Sequence, residues 1–279
     1  TLSVAVKKLE EELAVSLFER SKSQVMVTDT GRRVIDQAYH VLDQVGVIKD
    51  IALEGKDQLR APLRMGAIYT IGPYLFPHLM PELHRAAPDM PLYIEENYTS
   101  VLREKLKRSA LDAIIVALPF SEPEVVTLPL YDEPFVVLLP KNHPLSQYKT
   151  LTGDHLLEDN LLLLGPGHCF RDQALSFCKM SSPLPRDVME GSSLTTLVQM
   201  VGAGIGVTLI PEMAIPIETR SAPVSVARLA NPRPTRSIGF VWRKTNPLSD
   251  QLSYISKLVL PPRREVSELG HVSEVAGQV

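Results

Sequence analysis

Apolar residues recur at helical spacing over the first part of the chain. Across residues 1–19 they are separated by three or four positions, which predicts one helix with the apolar residues Leu2, Val6, Leu9, Leu13 and Leu17. A polar stretch at 21–24 and the β-branched run from Val25 to Thr28 come next. This order predicts a two-stranded hairpin, or wing, directly after the helix.

A second predicted helix covers residues 29–54, and Thr28 or Asp29 can cap its start. Its apolar positions follow alternating steps of four and three residues, which is the spacing of a heptad seam: Val34, Ala38, Val41, Val45, Ile48 and Ala52. Such a seam either pairs with a helix from a second copy of the chain or packs on the chain's own domain. We expect the first arrangement, a dimerising helix.

From Pro62 onward, strand patterns alternate with helix patterns. The predicted strands are 63–68, 91–98, 112–118, 136–139, 161–164, 187–190, 207–210 and 237–242. The predicted helices are 74–85, 100–109, 170–178, 193–203 and 250–258. Such alternation predicts an α/β fold with largely parallel sheets. We expect a hinge or a crossing strand at Asn231–Pro234, and a disordered polar tail after Pro261.

The composition is typical of a soluble globular protein. The chain has 279 residues, of which 44% are hydrophobic and 22% charged, so it is long enough for two domains. No stretch approaches the ~18 apolar residues of a membrane span, and no leader pattern precedes the first helix. We therefore expect a cytoplasmic protein with no membrane partner. Since the chain starts at Thr1 and within a helical pattern, we also expect that residues before Thr1 are missing.

Only two cysteines are present, Cys169 and Cys178, nine residues apart. On one α-helix this spacing advances about 13–14 Å, whereas a disulfide needs Cα atoms roughly 4.4–6.8 Å apart. Joining these thiols would therefore require the segment between them to refold. In a reducing compartment, a pair that closes in this way is typical of catalysis or sensing rather than of a structural disulfide.

The neighbours of Cys169 suit a reactive thiol. Gly165-Pro166-Gly167 interrupts regular structure, so Cys169 is expected at the start of the helix that follows, beside His168 and near Arg171. Helix starts and adjacent cations favour the thiolate, and a thiolate oxidised to sulfenic acid can condense with a second thiol. Buried, inert packing cysteines are the open alternative. The scattered histidines give no zinc spacing, and we expect neither a metal nor a cofactor.

A motif at the start of the chain resembles a known family. It reads Leu2-Ser3-x-x-Val6-x-x-Leu9-Glu10-x-x-Leu13-x-x-x-Leu17-Phe18-x-Arg20, followed by Val27-Thr28-Asp29-Thr30-Gly31. The motif is similar to the C-terminal half of the winged helix-turn-helix of LysR-type transcriptional regulators. This resemblance implies that promoter DNA is a partner and that the DNA-contacting residues include Thr1, Ser3, Lys7, Arg20 and Lys22.

The order of wing, long helix and α/β region also matches that family. The resemblance implies a two-lobed regulatory domain of the type 2 periplasmic-binding-protein kind. The expected segments are a partial winged helix-turn-helix at 1–28, a linker and dimerisation helix at 29–55, a regulatory domain at 60–260 and a polar tail at 261–279. Lobe I would take 60–132 and 237–260, and lobe II 137–233, with crossings near 132–134 and 234–236.

The segment from Gly167 to Cys178 resembles the peroxide-sensing members of the family. The resemblance implies that Cys169 reacts with peroxide and that Cys178 resolves the product. It also implies a peroxide pocket formed by Thr70, Thr99, His168 and Arg236, with Arg171 as a candidate for tuning the thiolate. On residue type alone, the threonines could be ordinary strand-end or cap residues, His168 a loop residue and both arginines surface charges. Because ligands in such folds bind at the carboxyl ends of strands, we expect Thr70, Thr99 and Cys169 to face one cleft.

We therefore expect a hydrogen-peroxide-sensing transcription activator of oxidative-stress genes. Its expected partners are promoter DNA, further copies of itself as a homodimer or homotetramer, RNA polymerase and a thiol reductant that resets the switch. One alternative is a regulator of the same family that senses a small organic ligand with inert cysteines. A thiol peroxidase is another, but the wing and the heptad helix argue against an enzyme.

Overall fold

The computed structural model describes residues 2–20, 25–54, 61–178 and 189–259. Several predictions fall outside these ranges: the DNA contacts at Thr1 and Lys22, the first two residues of the strand predicted at 187–190, and the polar tail. Among the described residues, no helix is both long enough and apolar enough to span a membrane.

The chain begins with α1 (Leu2–Leu13), followed by the antiparallel strands β1 (Phe18–Arg20) and β2 (Val25–Val27). The predicted hairpin is confirmed, but the predicted helix over 1–19 is too long. Ala14 adopts a positive φ of 53°, which ends the helix. Leu17 follows the apolar spacing because it is buried where the hairpin meets the next helix, and not because it is helical.

The next element, α2 (Asp29–Glu54), confirms the predicted long helix. Thr28 caps it, since its Oγ1 accepts the backbone N–H of Gly31 at 2.9 Å. A side chain at Gly31 would collide with the backbone carbonyl of Leu17, so glycine is required where the helix and the hairpin meet. Along the predicted seam, Val41 and Ile48 are exposed. The seam is thus not packed on the described part of this chain, and its pairing with a second copy stays a prediction.

Lobe I contains three parallel strands in the order β4–β3–β5. The strands are β3 (Leu63–Ile68), β4 (Leu92–Asn97) and β5 (Ala113–Ala117). The helices of this lobe are α3 (Gly72–Ala86), α4 (Thr99–Lys107) and α9 (Ser249–Ser256). Each lies within two residues of its predicted bounds, because the helices are amphipathic and the strands are short, mostly apolar runs of strand length.

Lobe II contains β7 (Leu161–Leu164), β8 (Glu190–Gly191) and β9 (Val207–Pro211), which pair in parallel. Its helices are α5 (Gly153–Leu157), α6 (Cys169–Phe177), α7 (Leu194–Gly202) and α8 (Ile215–Glu218). Short 3-10 helices lie at Pro144–Gln147 and Glu212–Ala214. The edge strand β10 (Val224–Arg228) completes this lobe.

Two long strands join the lobes. They are β6 (Val125–Pro140) and β11 (Thr235–Arg243), which pair antiparallel with each other through both crossings. The prediction of largely parallel sheets is therefore only partly right, since β6, β10 and β11 all make antiparallel pairs. Only 136–139 was predicted as a strand within β6, because Pro129 and Pro134 interrupt its pattern.

Two separate apolar cores confirm the two-lobed architecture. One is built from buried residues between 61 and 120 and between 238 and 259, and the other from residues between 135 and 229. Tyr74 is the exception, since it belongs to α3 of lobe I but packs in the core of lobe II. The precise domain boundaries stay a prediction.

Tyr74 also makes a polar contact between the lobes. Its hydroxyl donates to Glu218 Oε1 at 2.7 Å, and the hydroxyl of Thr195 donates to the same oxygen at 3.0 Å. Glu218 is only 3% exposed. Because a buried carboxylate depends on such donors, this contact ties α3 to lobe II.

We predict that Tyr74→Phe destabilises the protein by about 1–3 kcal/mol, because a buried carboxylate loses a donor without gaining a substitute. Urea unfolding followed by circular dichroism measures this as a lower midpoint. The control is Tyr93→Phe, where the tyrosine is 60% exposed and no change is expected. Equal midpoints for the two variants would contradict the proposed tie.

Candidate functional site

The two thiols lie at opposite ends of one helix. Cys169 is the first residue of α6, His168 is its N-cap, and Cys178 is its C-cap. Both cysteines are free thiols, Cys169 half-buried and Cys178 buried. Gly167, with φ of 95°, makes the turn into the helix, and an added Cβ would lie 3.2 Å from the ring of Tyr98. The helix predicted at 170–178 is confirmed to within one residue.

A small cavity lies at the start of α6. Three strand ends line it: the β3–α3 turn, the β4–α4 turn and the β7–α6 turn, which contribute Ile68, Tyr69, Thr70, Asn97, Tyr98, Thr99, Gly167, His168 and Cys169. Its volume is about 10 Å³, close to the space that one buried water needs. The structure thus brings Thr70, Thr99 and Cys169 to one cleft, as their positions after parallel strands predict. Their roles stay a prediction.

Two polar atoms around this cavity are buried without a satisfied hydrogen bond. Within the described ranges, His168 Nε2 has no hydrogen-bond partner, and Thr99 Oγ1 has none apart from its contact with the Cys169 thiol. Buried polar atoms are nearly always hydrogen-bonded. Two such atoms on side chains that line one small cavity therefore indicate a binding site for a small polar molecule that can both donate and accept hydrogen bonds.

His168 lies between aromatic rings. Its ring centroid lies 4.8 Å from that of Tyr98 and 5.9 Å from that of Tyr69. Burial lowers the pKa of His168, and a hydrogen bond to the Ser192 backbone only partly opposes this. It is 6% exposed, so the alternative of an ordinary loop histidine does not describe its environment. Sequence reasoning missed both tyrosines, although each directly precedes a predicted pocket threonine.

Arg236 lies behind Thr70 and is buried, not on the surface. Its Nη1 donates to Thr70 Oγ1 at 2.7 Å, its Nη2 to the Thr70 carbonyl at 2.8 Å, and its Nε to Glu133 Oε2 at 2.7 Å. The guanidinium carbon also lies 5.3 Å from the centre of the Phe170 ring. Sequence reasoning missed Glu133. A charged residue just before the apolar run 135–139 was the available signal that a buried cation needed a partner.

The electrostatics at Cys169 differ from the sequence-based expectation. Burial raises the pKa of the Cys169 thiol, while Arg236, a hydrogen-bonding contact with Thr99 and the Phe170 backbone N–H act to lower the pKa, and Asp172 raises it. The helix start and its neighbours therefore do not by themselves favour the thiolate in this reduced form. Desolvation outweighs them.

Arg171 contacts strand β7 and Glu190. Its Nη1 donates to the Leu164 carbonyl at 2.7 Å and its Nη2 pairs with Glu190 Oε1 at 2.6 Å. Strand β7 and Glu190 therefore occupy its guanidinium, and a role of Arg171 in tuning the thiolate stays a prediction. Arg236 is the cation that acts on Cys169.

Cys178 is protected at the other end of α6. It is 1% exposed, and burial, followed by the charge of Asp154, raises the pKa of its thiol to about 11. A thiol in this state is neutral at physiological pH and a poor nucleophile. It becomes available only if the helix end opens.

The predicted DNA contacts are only partly described. Ser3 and Lys7 are exposed on α1, and Lys7 Nζ lies 3.8 Å from Glu11 Oε1. Arg20 lies in β1, while Thr1 and Lys22 fall outside the described residues. In the parts of the chain that the structure describes, no group of three His, Cys, Asp or Glu side chains could hold a metal ion.

Comparison with known proteins agrees with this architecture. The family model of the LysR substrate binding domain matches residues 56–255. The DNA-binding transcriptional dual regulator OxyR of Escherichia coli is 36% identical over 259 residues, which cover 93% of this chain and 85% of that protein.

Solved structures give the same result. A full-length OxyR from Pseudomonas aeruginosa, carrying one cysteine-to-aspartate substitution, is 48% identical with a TM-score of 0.72, covering 92% of this chain and 84% of that one. An H2O2-bound cysteine-to-serine mutant of Corynebacterium glutamicum OxyR is 32% identical with a TM-score of 0.69, covering 92% and 82%. The chain therefore belongs to the LysR family of transcriptional regulators and is similar to OxyR over nearly its whole length.

Proposed function

We propose that this protein is a hydrogen-peroxide-sensing, DNA-binding transcription regulator of oxidative-stress genes. The observation that carries the proposal is the cavity beside Cys169, which has room for a very small molecule and is lined by two residues with unsatisfied polar atoms. Peroxide is small, donates and accepts hydrogen bonds, and oxidises thiolates. The likeness to the H2O2-bound OxyR mutant supports the same ligand.

The chemistry has two steps. The Cys169 thiolate attacks one peroxide oxygen, the O–O bond breaks, and the sulfur becomes a sulfenic acid while the second oxygen leaves as hydroxide. The proton released from the thiol converts this hydroxide to water. The Cys178 thiol then attacks the sulfenic sulfur, which forms the disulfide and releases a second water.

The second step requires α6 to unwind. The helix separates the cysteines by about 13–14 Å along its axis, which is too far for a disulfide. Unwinding would also break the contacts of Arg171 with Leu164 and Glu190. The reduced and oxidised proteins would therefore differ in the surface that surrounds α6, and this difference is the signal passed to the DNA-binding segment.

The same proposal covers the assembly. The exposed seam on α2 pairs with a second copy, two such dimers form a tetramer, and the rearranged α6 surface alters how the copies pack. The boundaries given above for the winged segment, the linker helix and the two lobes belong to this proposal, as do the DNA contacts of 1–28. RNA polymerase and a thiol reductant are the further proposed partners, in the cytoplasm.

The size of the cavity favours peroxide sensing over the main alternative, a regulator of the same family that senses an organic metabolite. A regulator of an organic metabolite needs a pocket of hundreds of Å³, whereas the space at Cys169 is about 10 Å³. A peroxidase would turn over repeatedly. Here the resolving thiol is buried beneath the helix that must unwind, which suits a single switching event in a transcription regulator.

We predict that Cys169→Ser abolishes both the disulfide and the peroxide induction of a reporter gene, because the only proposed peroxide-reacting sulfur is removed. Cys178→Ser should still form a sulfenic acid at position 169, trapped by dimedone, but no intramolecular disulfide. Ser176→Ala, on the exposed face of the same helix, is the control and should respond normally. Normal induction by the Cys169→Ser protein would refute the proposal.

We predict that the rate of Cys169 oxidation rises with pH. Because burial raises the pKa of this thiol, the thiolate is a minor species at neutral pH. The rate should then increase about tenfold per pH unit from about pH 6 to 8, in proportion to the thiolate fraction. Stopped-flow oxidation by excess peroxide measures this slope. A flat profile would mean that the thiol is already ionised at the acidic end of the range.

A further inference from the structure

A buried carboxylate holds Arg236 from the side away from the cavity. Arg236 Nε and Nη2 both lie 2.7 Å from Glu133 Oε2. The Arg236 side chain is fully buried and that of Glu133 is 3% exposed. A charge-assisted pair with two donors on one carboxylate fixes the plane of the guanidinium as well as its position.

Glu133 is itself fixed on two sides. It lies directly opposite Arg236 in the antiparallel pairing of β6 and β11, so both side chains are on the same face of the sheet. Its other oxygen, Oε1, accepts the backbone N–H of Met213 at 3.3 Å, from the 3-10 helix Glu212–Ala214 of lobe II. The pair therefore lies where the lobes meet, held by backbone from both.

The consequence for Thr70 concerns its hydroxyl hydrogen. Thr70 Oγ1 accepts a hydrogen bond from Arg236 Nη1 at 2.7 Å, and the Thr70 carbonyl accepts from Nη2. With the oxygen already used as an acceptor by a cation, the hydroxyl is polarised and its own hydrogen is free to be donated elsewhere. Thr70 lines the cavity beside Cys169, where that hydrogen can meet a peroxide oxygen.

We propose that Glu133 is a positioning residue for peroxide reduction at Cys169, acting through Arg236 and Thr70. This inference rests on the proposed function. Glu133 orients Arg236, Arg236 orients and polarises Thr70, and the Thr70 hydroxyl donates a hydrogen bond to the oxygen that leaves. As the O–O bond breaks, the sulfur loses two electrons to the peroxide, and the departing hydroxide becomes water with the thiol's proton. Glu133 transfers no proton.

Glu133 should also affect the thiol through its charge. Whereas its positioning role speeds the reaction of the thiolate, its negative charge disfavours formation of the thiolate. Burial raises the pKa of Glu133, but the Arg236 guanidinium and the Met213 N–H act to lower the pKa, and the close pair with Arg236 keeps the carboxylate ionised. This carboxylate competes with the Cys169 thiolate for the positive charge of Arg236. Removing that negative charge should therefore make the thiolate easier to form, while the loss of orientation slows its reaction. The other titratable groups near these sites, among the described residues, are Asp172 and His168 beside Cys169, Tyr74 near Arg236, and Glu212 and Tyr131 near Glu133.

The experiment measures single-turnover oxidation of Cys169 by peroxide from about pH 6 to 11 in the full chain, and each profile is fitted to one ionisation. Each profile gives two quantities. The pH midpoint reports the pKa of the Cys169 thiol, and the plateau rate constant reports how fast the thiolate itself reacts with peroxide. For Glu133→Gln we expect a lower midpoint and a plateau reduced about tenfold to a hundredfold, because positioning at this level costs that much. A residue with a merely structural role would move neither quantity in the folded protein.

Glu133→Asp separates charge from position. It keeps the negative charge but withdraws the carboxylate, so the midpoint should stay near that of the parent protein while the plateau still falls. Glu124→Gln is the control. Glu124 lies just before β6, its side chain is 78% exposed, and its Oε1 lies 4.0 Å from Lys244 Nζ, so both quantities should be unchanged.

The outcomes are distinct. If Glu133→Gln does not fold, Glu133→Asp still decides, and a plateau equal to that of the parent protein in the folded aspartate variant overturns the role of Glu133. A parent protein whose Cys169 does not react with peroxide overturns the proposed function and this inference together. A reactive parent with unaffected Glu133 variants overturns this inference alone.

Discussion

The nine-residue helix α6 separates the two thiols, and the behaviour proposed for this protein depends on that separation. Cys169 begins the helix beside a small polar cavity, and Cys178 ends it in the core of lobe II. The helix cannot persist while the two sulfurs are joined, because its length exceeds the reach of a disulfide. Oxidation is therefore coupled to a change of conformation. The disulfide that the oxidant produces stabilises a conformation that the reduced chain does not adopt.

The buried ion pair of Arg236 with Glu133 provides the rigid side of the site. Charges removed from water are costly unless they are paired and fully hydrogen-bonded, and here the pair is placed on the two strands that cross between the lobes. That placement links the cavity to both lobes through Thr70 on one side and Met213 on the other. The fixed crossing strands and the α6 segment that must refold are both close to Cys169. The fixed groups position the reactants, and the disulfide that results rearranges α6.

Much of this could be predicted from the sequence, and the failures have physical causes. Helices such as α2 have strong periodicity. Ligands of such folds bind at the carboxyl ends of strands, so Thr70 after β3 of lobe I and Cys169 after β7 of lobe II could be expected at one cleft, where the structure places both. The length of β6 was missed because Pro129 and Pro134 interrupt its pattern. The pKa of Cys169 and the partner of Arg171 depend on burial and on side-chain direction, which only the folded chain defines.

The most direct test of the central claim combines hydrogen exchange with peptide mapping, before and after one equivalent of hydrogen peroxide. The account predicts the loss of two hydrogen atoms per chain, a peptide that links Cys169 to Cys178, and loss of amide protection throughout α6, while β3 and β5 of lobe I remain protected. A linked peptide with unchanged protection in α6 would contradict the coupling of oxidation to refolding. Two thiols that remain free and alkylatable after peroxide would contradict the sensing role itself.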